Sequence, residues 1–343
     1  MTKSTLAAIV RKTEADPVIE QLRSAGIYDD DRRIVEHDAD HLAVPVTESP
    51  ESIDVSVIDA PDQPRRIRGL ESRLRERGFT DDELETVPNS WAVIGDVVLI
   101  QLEGCSQPDV VASELLALHD AETVLDRNGI DGEHREPDVE VVAGSGETET
   151  IHREHGTAYA LDLATVMFSP GNKAERARMG EIVDPDDRVL DMFAGIGYFT
   201  LPMARAGAAV TAIERNPTAF RYLIENAKLN EVESRIQSYR ADCRDVIAWH
   251  HDPEIDVDVT ADRVVMGYYD AYEYLDAALP VVAAGGIVHM HAVTPDALLW
   301  ERPRERLRSA AADCGRAVEI LEERTIKTHS EGVYHVVIDA RIR

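Results

Sequence analysis

The sequence predicts an α/β chain whose C-terminal half is a doubly wound, Rossmann-like parallel sheet preceded by smaller α+β modules. Three observations carry this. The stretch from Arg188 to Asn230 reads as strand, glycine turn, helix, second strand ending in an acid, and helix. Apolar strand-like runs then alternate with helical ones, the mark of a parallel sheet with crossover helices. The last two apolar runs follow a helix and are joined by a short turn, as in a closing antiparallel pair.

Val189 and Leu190 start a buried strand that stops at Asp191 and Met192. Ala194-Gly195-Ile196-Gly197 lets the backbone turn tightly and approach a ligand. Val210, Ala212 and Ile213 form the second strand, and Glu214 closes it. The separation 214 − 191 = 23 is about that at which an acid meets a ribose in nucleotide-binding βαβ units. A dinucleotide site needs a third glycine, and counting from Gly195 its place falls on Thr200. No phosphate-loop Lys-Ser/Thr follows either. An acid for ribose hydroxyls without a pyrophosphate cradle fits S-adenosylmethionine better than NAD or ATP. The alternative is a Rossmann-like scaffold with no ligand, and the in-register Glu214 argues against it.

Around this core the elements follow in order. A helix over Pro17 to Ala25 lies between the apolar stretches AAIV and HLAVPV, and ESIDVSVIDAPDQP is strand-like, then loop-like. Residues 1–65 are expected to form one small α+β domain. Arg65, Arg66, Arg68, Arg73, Arg75 and Arg77 crowd the next segment. A solvated helix face paired with Glu71 and Glu76 and a phosphate-contacting patch explain them equally well. SWAVIGDVVLIQL is strand-like on both sides of Gly95-Asp96, VVASELLAL is helical, and EVVAGS and TAYALDLATVMF are strand-like. These make residues 66–165 a mixed middle domain, with 166–343 as the cofactor-binding domain. Pro170-Gly171-Asn172 makes a turn and Ala174 to Ile182 a helix. After Glu214 come a strand over IQSYRAD ending at Asp242, a strand over ADRVVMGY, a helix over YEYLDAALPVV, a strand over GGIVHMHAV, a helix over RERLRSAAADCG and the closing pair EILEERTIK and GVYHVVIDARI. This is the class I S-adenosylmethionine-dependent methyltransferase arrangement.

Composition narrows the class. At 343 residues there is room for two or three domains with real cores. No apolar run approaches the roughly 18 residues of a membrane span, and MTKSTLAAIVRKTEADP has no signal-peptide core, so a cytoplasmic protein is expected. Cys105, Cys243 and Cys314 are scattered with no C-x-x-C pair, which argues against a zinc site. The net charge is −29, with lysine only at Lys3, Lys12, Lys173, Lys228 and Lys327. Acids spread along the whole chain and arginine in place of lysine read as solvation in a salt-filled cytoplasm, where repulsion is screened within about 3 Å at 1 M. A halophilic archaeon is the expected source.

The motifs MFSPGN-x-x-ER-x-RM, DMFAGIGYF, AIERNP, NAKLN, ADCRD, ADRVVMGY and EGVYHVVIDARI resemble the archaeal tRNA wybutosine-synthesizing protein 2 family. Its close relatives are the tRNA guanine-N1 methyltransferases, which act on the same nucleotide. The resemblance is strong from about Ile151 to Arg343 and looser before. Met266-Gly267-Tyr268 stands where the methylating relatives carry an Asn-Leu-Pro or Asn-Pro-Pro turn. The resemblance implies transfer of the 3-amino-3-carboxypropyl group of S-adenosylmethionine to carbon 7 of 4-demethylwyosine in tRNA-Phe, with methylthioadenosine leaving. The alternatives are methyl transfer to guanine N1 and a non-catalytic tRNA-binding member. A monomer without membrane association is expected.

The resemblance also implies the contacts. Ser169 and Arg176 match family positions near the cofactor. Glu214 takes the ribose hydroxyls, Asp242 accepts from the exocyclic amine of adenine, and Cys243 meets the adenine edge where the family often has Asn. Asp191, Gly195 and Gly197 complete the expected cofactor set. Tyr268 and Asp270 are the catalytic candidates. Asp270, Glu273 or water takes the proton that leaves after attack. Each has a structural alternative: Ser169 starting a turn, Arg176 pairing with Glu175 or Glu181, Asp242 capping a helix. His289 and His291 share a strand face and read as packed or substrate-side; no metal is expected. His250-His251 reads as a solvated loop, and Arg302, Arg304, Arg306 and Arg308 as a salt-bridged helix surface.

Overall fold

The computed structural model describes residues 6–343 apart from 51, 52, 54, 61, 62, 65–68, 133 and 134. The chain divides into two compact units, Met1–Glu85 and Thr86–Arg343. In the first, β1 (Leu6–Arg11), β2 (Val35–Glu36), β3 (His41–Val46) and β4 (Ser56–Asp59) form a sheet in the order β2-β3-β1-β4. Helix α1 (Ala15–Ser24) buries Ala15 and Leu22 in the core with Ala8, Val10 and Val44. The arginine-rich segment gives α2 (Leu70–Glu76), followed by α3 (Asp81–Glu85). Arg65, Arg66 and Arg68 lie outside the described residues. Arg75 pairs with Glu71 at 2.9 Å and Asp81 at 2.7 Å, so at this position the ion-paired helix surface is what forms.

The second unit opens with β5 (Ala92–Ile94), β6 (Val97–Ile100), helix α4 (Pro108–His119), β7 (Thr123–Asp131) and β8 (Glu136–Gly144), in one sheet of order β5-β6-β7-β8. Strand β7 was not expected. Its sequence TVLDRNGID offers only Val124 and Leu125 to the core. A hairpin of β9 (Glu149–Glu154) and β10 (Thr157–Asp162) follows. The strand expected over TAYALDLATVMF therefore ends at Asp162, whose side chain accepts from the Ala164 N–H and starts a turn. Met167 and Phe168 are not in a strand.

The main sheet has seven strands. They are β11 (Arg188–Asp191), β12 (Ala209–Ile213), β13 (Ile236–Tyr239), β14 (Ala261–Met266), β15 (Val282–Pro295), β16 (Val318–Ser330) and β17 (Val333–Ile342). Their order is β13-β12-β11-β14-β15-β17-β16, with β17 antiparallel to both its neighbours. The helices are α5 (Lys173–Ile182), α6 (Thr200–Ala206), α7 (Pro217–Leu229), α8 (Cys243–His250), α9 (Leu275–Val281) and α10 (Glu301–Asp313). This is the expected class I arrangement, and the order reverses at β11 and β14, where open α/β sheets place their ligands. Apolar layers on both sides of β11 make it a fully interior strand: Val189 packs with Met203 and Val210, and Leu190 with Val246 and Val264.

Three local expectations change. Strand β13 stops at Tyr239, and Asp242 is the N-cap of α8, its carboxylate accepting from the Arg244 N–H at 2.9 Å. An aspartate one residue before a helix meets unpaired N–H groups that a strand end does not offer. The helix over YEYLDAALPVV is a 3-10 turn, Ala271–Tyr274, then α9 with Pro280 inside its last turn. His250 is the last residue of α8 and its Nδ1 lies 3.1 Å from the Val257 carbonyl, so it ties the following loop down.

Asn226 on α7 and Asn230, the residue that caps its C-terminus, pin β10. Asn226 accepts from the Ala160 N–H at 2.7 Å and donates to its carbonyl at 3.0 Å. Asn230 does the same to Ala158 at 2.9 and 2.7 Å. The two amides supply the hydrogen bonds a neighbouring strand would, which fastens the hairpin to the C-terminal half of α7.

Candidate functional site

A cavity opens at the carboxyl edge of β11, β12 and β14. Its lining includes Ser169, Arg176, Gly195, Glu214, Asp242, Cys243 and Tyr268. Residues far apart in sequence meet here because each parallel strand ends on this edge.

The floor is the turn after β11. Gly195 has φ +57° and Gly197 φ +102°, and added Cβ atoms would sit 2.2 Å from the Tyr198 ring and 2.7 Å from Leu201 Cγ. Glycine is required at both. Glu214 Oε2 accepts from the Gly195 N–H at 2.8 Å and Oε1 from the Asn216 N–H at 2.7 Å. Burial raises the pKa of Glu214 even though both backbone donors favour its charged form. Glu214 lines the cavity with its carboxylate already held by two backbone donors.

Asp191 has no exposed surface and does not line the cavity. Burial raises its pKa to about 6, against a 2.7 Å hydrogen bond from Thr200 Oγ1. It supports the loop from below. Thr200, standing where a dinucleotide fold has glycine, supplies that support. Gly197 likewise turns the chain without lining the cavity.

Asp242 and Cys243 line the cavity together at the start of α8. The Arg244 side chain bonds both Asp242 oxygens, at 2.9 and 2.7 Å, and lowers its pKa. The carboxylate is thus fixed as an acceptor. Burial pushes the Cys243 thiol up to about 12, so it is a neutral, apolar surface and no nucleophile.

Arg176 is buried and pairs with Glu154 rather than with Glu175 or Glu181. Its Nε and Nη2 donate to Glu154 at 2.7 and 2.9 Å, and Nη1 donates to the Ser169 carbonyl at 2.9 Å. Although burial opposes it, His152 and Arg176 hold Glu154 down at about 2. The guanidinium lies over Phe168, 4.6 Å from its centroid, and lines the cavity while holding Ser169 in place.

Aromatic rings form one wall. Phe193 lies 5.3 Å from Tyr268 and 5.0 Å from Tyr274, centroid to centroid. Arg135 sits over Tyr268 and Tyr269 at 6.0 and 5.2 Å. Phe193, Tyr274 and Arg135 were not singled out from the sequence, although Phe193 stands inside the D-M-F-A-G turn motif. Asp270 and Glu273 are exposed and outside the lining.

The histidines are packed. His289 Nδ1 lies 2.7 Å from Asp339, and His291 Nδ1 lies 2.9 Å from His335 Nε2. Among the described residues no group of three or more His, Cys, Asp and Glu is arranged to hold a metal ion. Arg304 pairs with Glu323 on β16, and Arg306 lies over Tyr272, so these α10 arginines are engaged within the protein. Among the described residues no helix is long and apolar enough to cross a membrane.

Residues 150–321 match the model of the TRM5/TYW2 methyltransferase domain, and residues 70–148 that of the TYW2 N-terminal domain. The tRNA(Phe) (4-demethylwyosine(37)-C(7)) aminocarboxypropyltransferase of Pyrococcus horikoshii is 39% identical over 81% of this chain and 99% of its own length. A crystal structure of P. horikoshii TYW2 in complex with MeSAdo aligns with TM-score 0.66 and 35% identity, over 79% of this chain and 97% of that one. Trm5b of Pyrococcus abyssi, a tRNA (guanine(37)-N(1))-methyltransferase, is 30% identical over 98% of this chain and 99% of its own. Its crystal structure aligns with TM-score 0.75 over 98% of this chain and 99% of that one.

Proposed function

The chain belongs to the TRM5/TYW2 methyltransferase family, and on that premise we propose that it transfers the 3-amino-3-carboxypropyl group of S-adenosylmethionine to carbon 7 of 4-demethylwyosine, just 3′ of the anticodon in tRNA-Phe. Methylthioadenosine leaves. The observation that carries the reading is Met266-Gly267-Tyr268 at the end of β14, which sets the Tyr268 ring, instead of a proline turn, beside the cavity. The aminocarboxypropyltransferase from P. horikoshii, alike over nearly its whole length, supports it.

The residues present fit this cofactor. The glycine turn admits close approach, buried Glu214 receives ribose hydroxyls, Asp242 accepts from the adenine amine, and Cys243 offers an apolar edge. When bound, the cofactor supplies a sulfonium with three activated carbons. The protein decides which of them faces the acceptor by placement alone. Phe193, Tyr268 and Tyr274 wall off water on one side and offer ring faces to a cation. The acceptor carbon is electron-rich and needs no strong base before attack. Asp270 and Glu273 stand in solvent away from the lining, so water takes the departing proton. Residues 166–343 carry the chemistry, and residues 1–65 contact the tRNA.

Methyl transfer to guanine N1 is the second reading, favoured by the full-length likeness to the methyltransferase Trm5b. One experiment separates them. The protein is incubated with tRNA-Phe bearing 4-demethylwyosine and cofactor labelled either in the carboxyl or in the methyl carbon. Carboxyl label in tRNA with methylthioadenosine released is the expected result. Methyl label with S-adenosylhomocysteine released establishes the second reading, and no label in either arm refutes both.

A further inference from the structure

The buried Arg176–Glu154 pair stands between two cavities. Arg176 lines the one at the carboxyl edge and also a second, which Glu154 lines as well. The second cavity holds about 260 Å³ and is bordered by the β9–β10 turn, α5 and α6. Arg205 and Ala206 border it where α6 ends, three residues before β12 begins at Ala209. That is the amino edge of the parallel sheet, away from the edge where β11, β12 and β14 end, and no step of the proposed transfer uses this space.

Its inner polar groups already have partners. Glu154 and Arg176 bond each other at 2.7 and 2.9 Å, and the Tyr159 hydroxyl donates to the Tyr198 carbonyl at 3.2 Å. Tyr159, Ala177, Pro202 and Ala206 add apolar surface. The outer groups are different. Arg205, His155 and Glu181 are exposed, line the cavity, and have no hydrogen-bond or ion-pair partner among the described residues. In a chain with 65 acids and 36 basic residues, an arginine without a carboxylate is an exception. Arg205 lies against the β9–β10 turn, where a Cβ added at Gly156 would sit 3.2 Å from its Nη2. The turn itself has φ +46° at His155 and +80° at Gly156, the arrangement that usually takes Asn, Asp or Gly at its first position. A histidine there keeps an imidazole at the cavity where a smaller residue would serve the turn better.

One cation, one imidazole and one acid without partners, around an apolar interior, match a small ligand with an anionic end, a cationic end and an apolar body. We propose that the second cavity binds a free α-amino acid with an apolar side chain: Arg205 and His155 take the carboxylate, Glu181 takes the ammonium, and the side chain lies against Tyr159, Ala177 and Pro202. A plain anion such as phosphate meets Glu181 with like charge and leaves the apolar surface uncovered. A plain amine leaves Arg205 unpaired.

The test titrates the full chain with L-leucine by calorimetry. Beside it are run 4-methylpentanoate, which lacks the ammonium, isopentylamine, which lacks the carboxylate, and inorganic phosphate. L-Leucine should saturate one site, and each of the other three should bind at least about fivefold more weakly. Arg205→Ala and Glu181→Gln should each weaken L-leucine by at least about fivefold, and Arg205→Lys, which keeps the charge, should recover part of the loss. Both side chains are exposed, so the variants keep the fold and report on binding. Leucine binding that does not saturate by about 10 mM overturns the proposal. So does binding untouched by Arg205→Ala, which places leucine elsewhere. Phosphate or 4-methylpentanoate binding as tightly as leucine overturns the ligand class.

Discussion

Glu214 Oε2 accepts from the backbone N–H of Gly195 at 2.8 Å, so the acid that ends β12 also clamps the glycine turn that follows β11. The shape of the loop therefore depends on the side chain proposed to take the ribose hydroxyls. Glu214→Gln can present an oxygen to only one of the two backbone donors. S-adenosylmethionine affinity should fall about tenfold or more, read by calorimetry. Unchanged affinity would remove Glu214 from the site.

Asp191 is buried beneath the same turn, and burial raises its pKa from 3.8 to about 6. A raised carboxyl contributes stability that is complete below pH 4 and is lost as pH rises toward and through 6. Asp191→Asn does not ionise. Its unfolding free energy relative to wild type should therefore improve between pH 4 and pH 7, by at most about 3 kcal/mol. Urea titrations at the two pH values check this, and a relative stability independent of pH contradicts it.

Asp339 has the opposite sign. Burial alone raises its pKa, but His289 at 2.7 Å and Arg324 at 2.8 Å hold it far below the usual range. Its contribution is present above pH 4 and disappears as pH falls. Asp339→Ala takes a carboxylate from buried His289 and from Arg178, and leaves Arg324 to Glu175 and Glu322; it should cost about 3 kcal/mol at neutral pH. A loss below about 1 kcal/mol would show that water replaces the carboxylate easily.

Asn226→Ala removes both bonds to Ala160 and a third to the Ile196 carbonyl. A stability loss of about 2–4 kcal/mol is expected. Hydrogen exchange should localise the opening to β10 and the 194–197 turn. Uniform exchange across the second unit would count against the staple.

With a net charge of −29, thermal stability should rise as KCl goes from 0.1 M to above 1 M, because screening removes acid–acid repulsion. In that salt, tRNA affinity should depend on shape and stacking, since counterion release contributes little. A steep salt slope of tRNA affinity above 1 M would refute the second statement, and a flat melting temperature the first.

The strand–turn–strand core and the place of Glu214 were legible because their signals are local. A fully apolar strand, glycines where only positive φ serves, and an acid at a fixed distance all lie within one supersecondary unit. Strand β7 was not legible, because TVLDRNGID is held by its neighbours rather than by its own periodicity. Asp242 was placed on a strand because capping depends on where α8 begins.

The amino-acid sequence by itself determined the order of elements, the class of sheet and the edge where the cofactor site forms, since backbone geometry and hydrophobic period act between near neighbours. Only the tertiary structure decided the partners of the site's charges. Arg176 bonds Glu154 across 22 residues, and Lys327 meets Ser169 across 158. Buried polar groups take whichever partner the packed chain brings within hydrogen-bond reach, and that distance exists only after the sheet has closed.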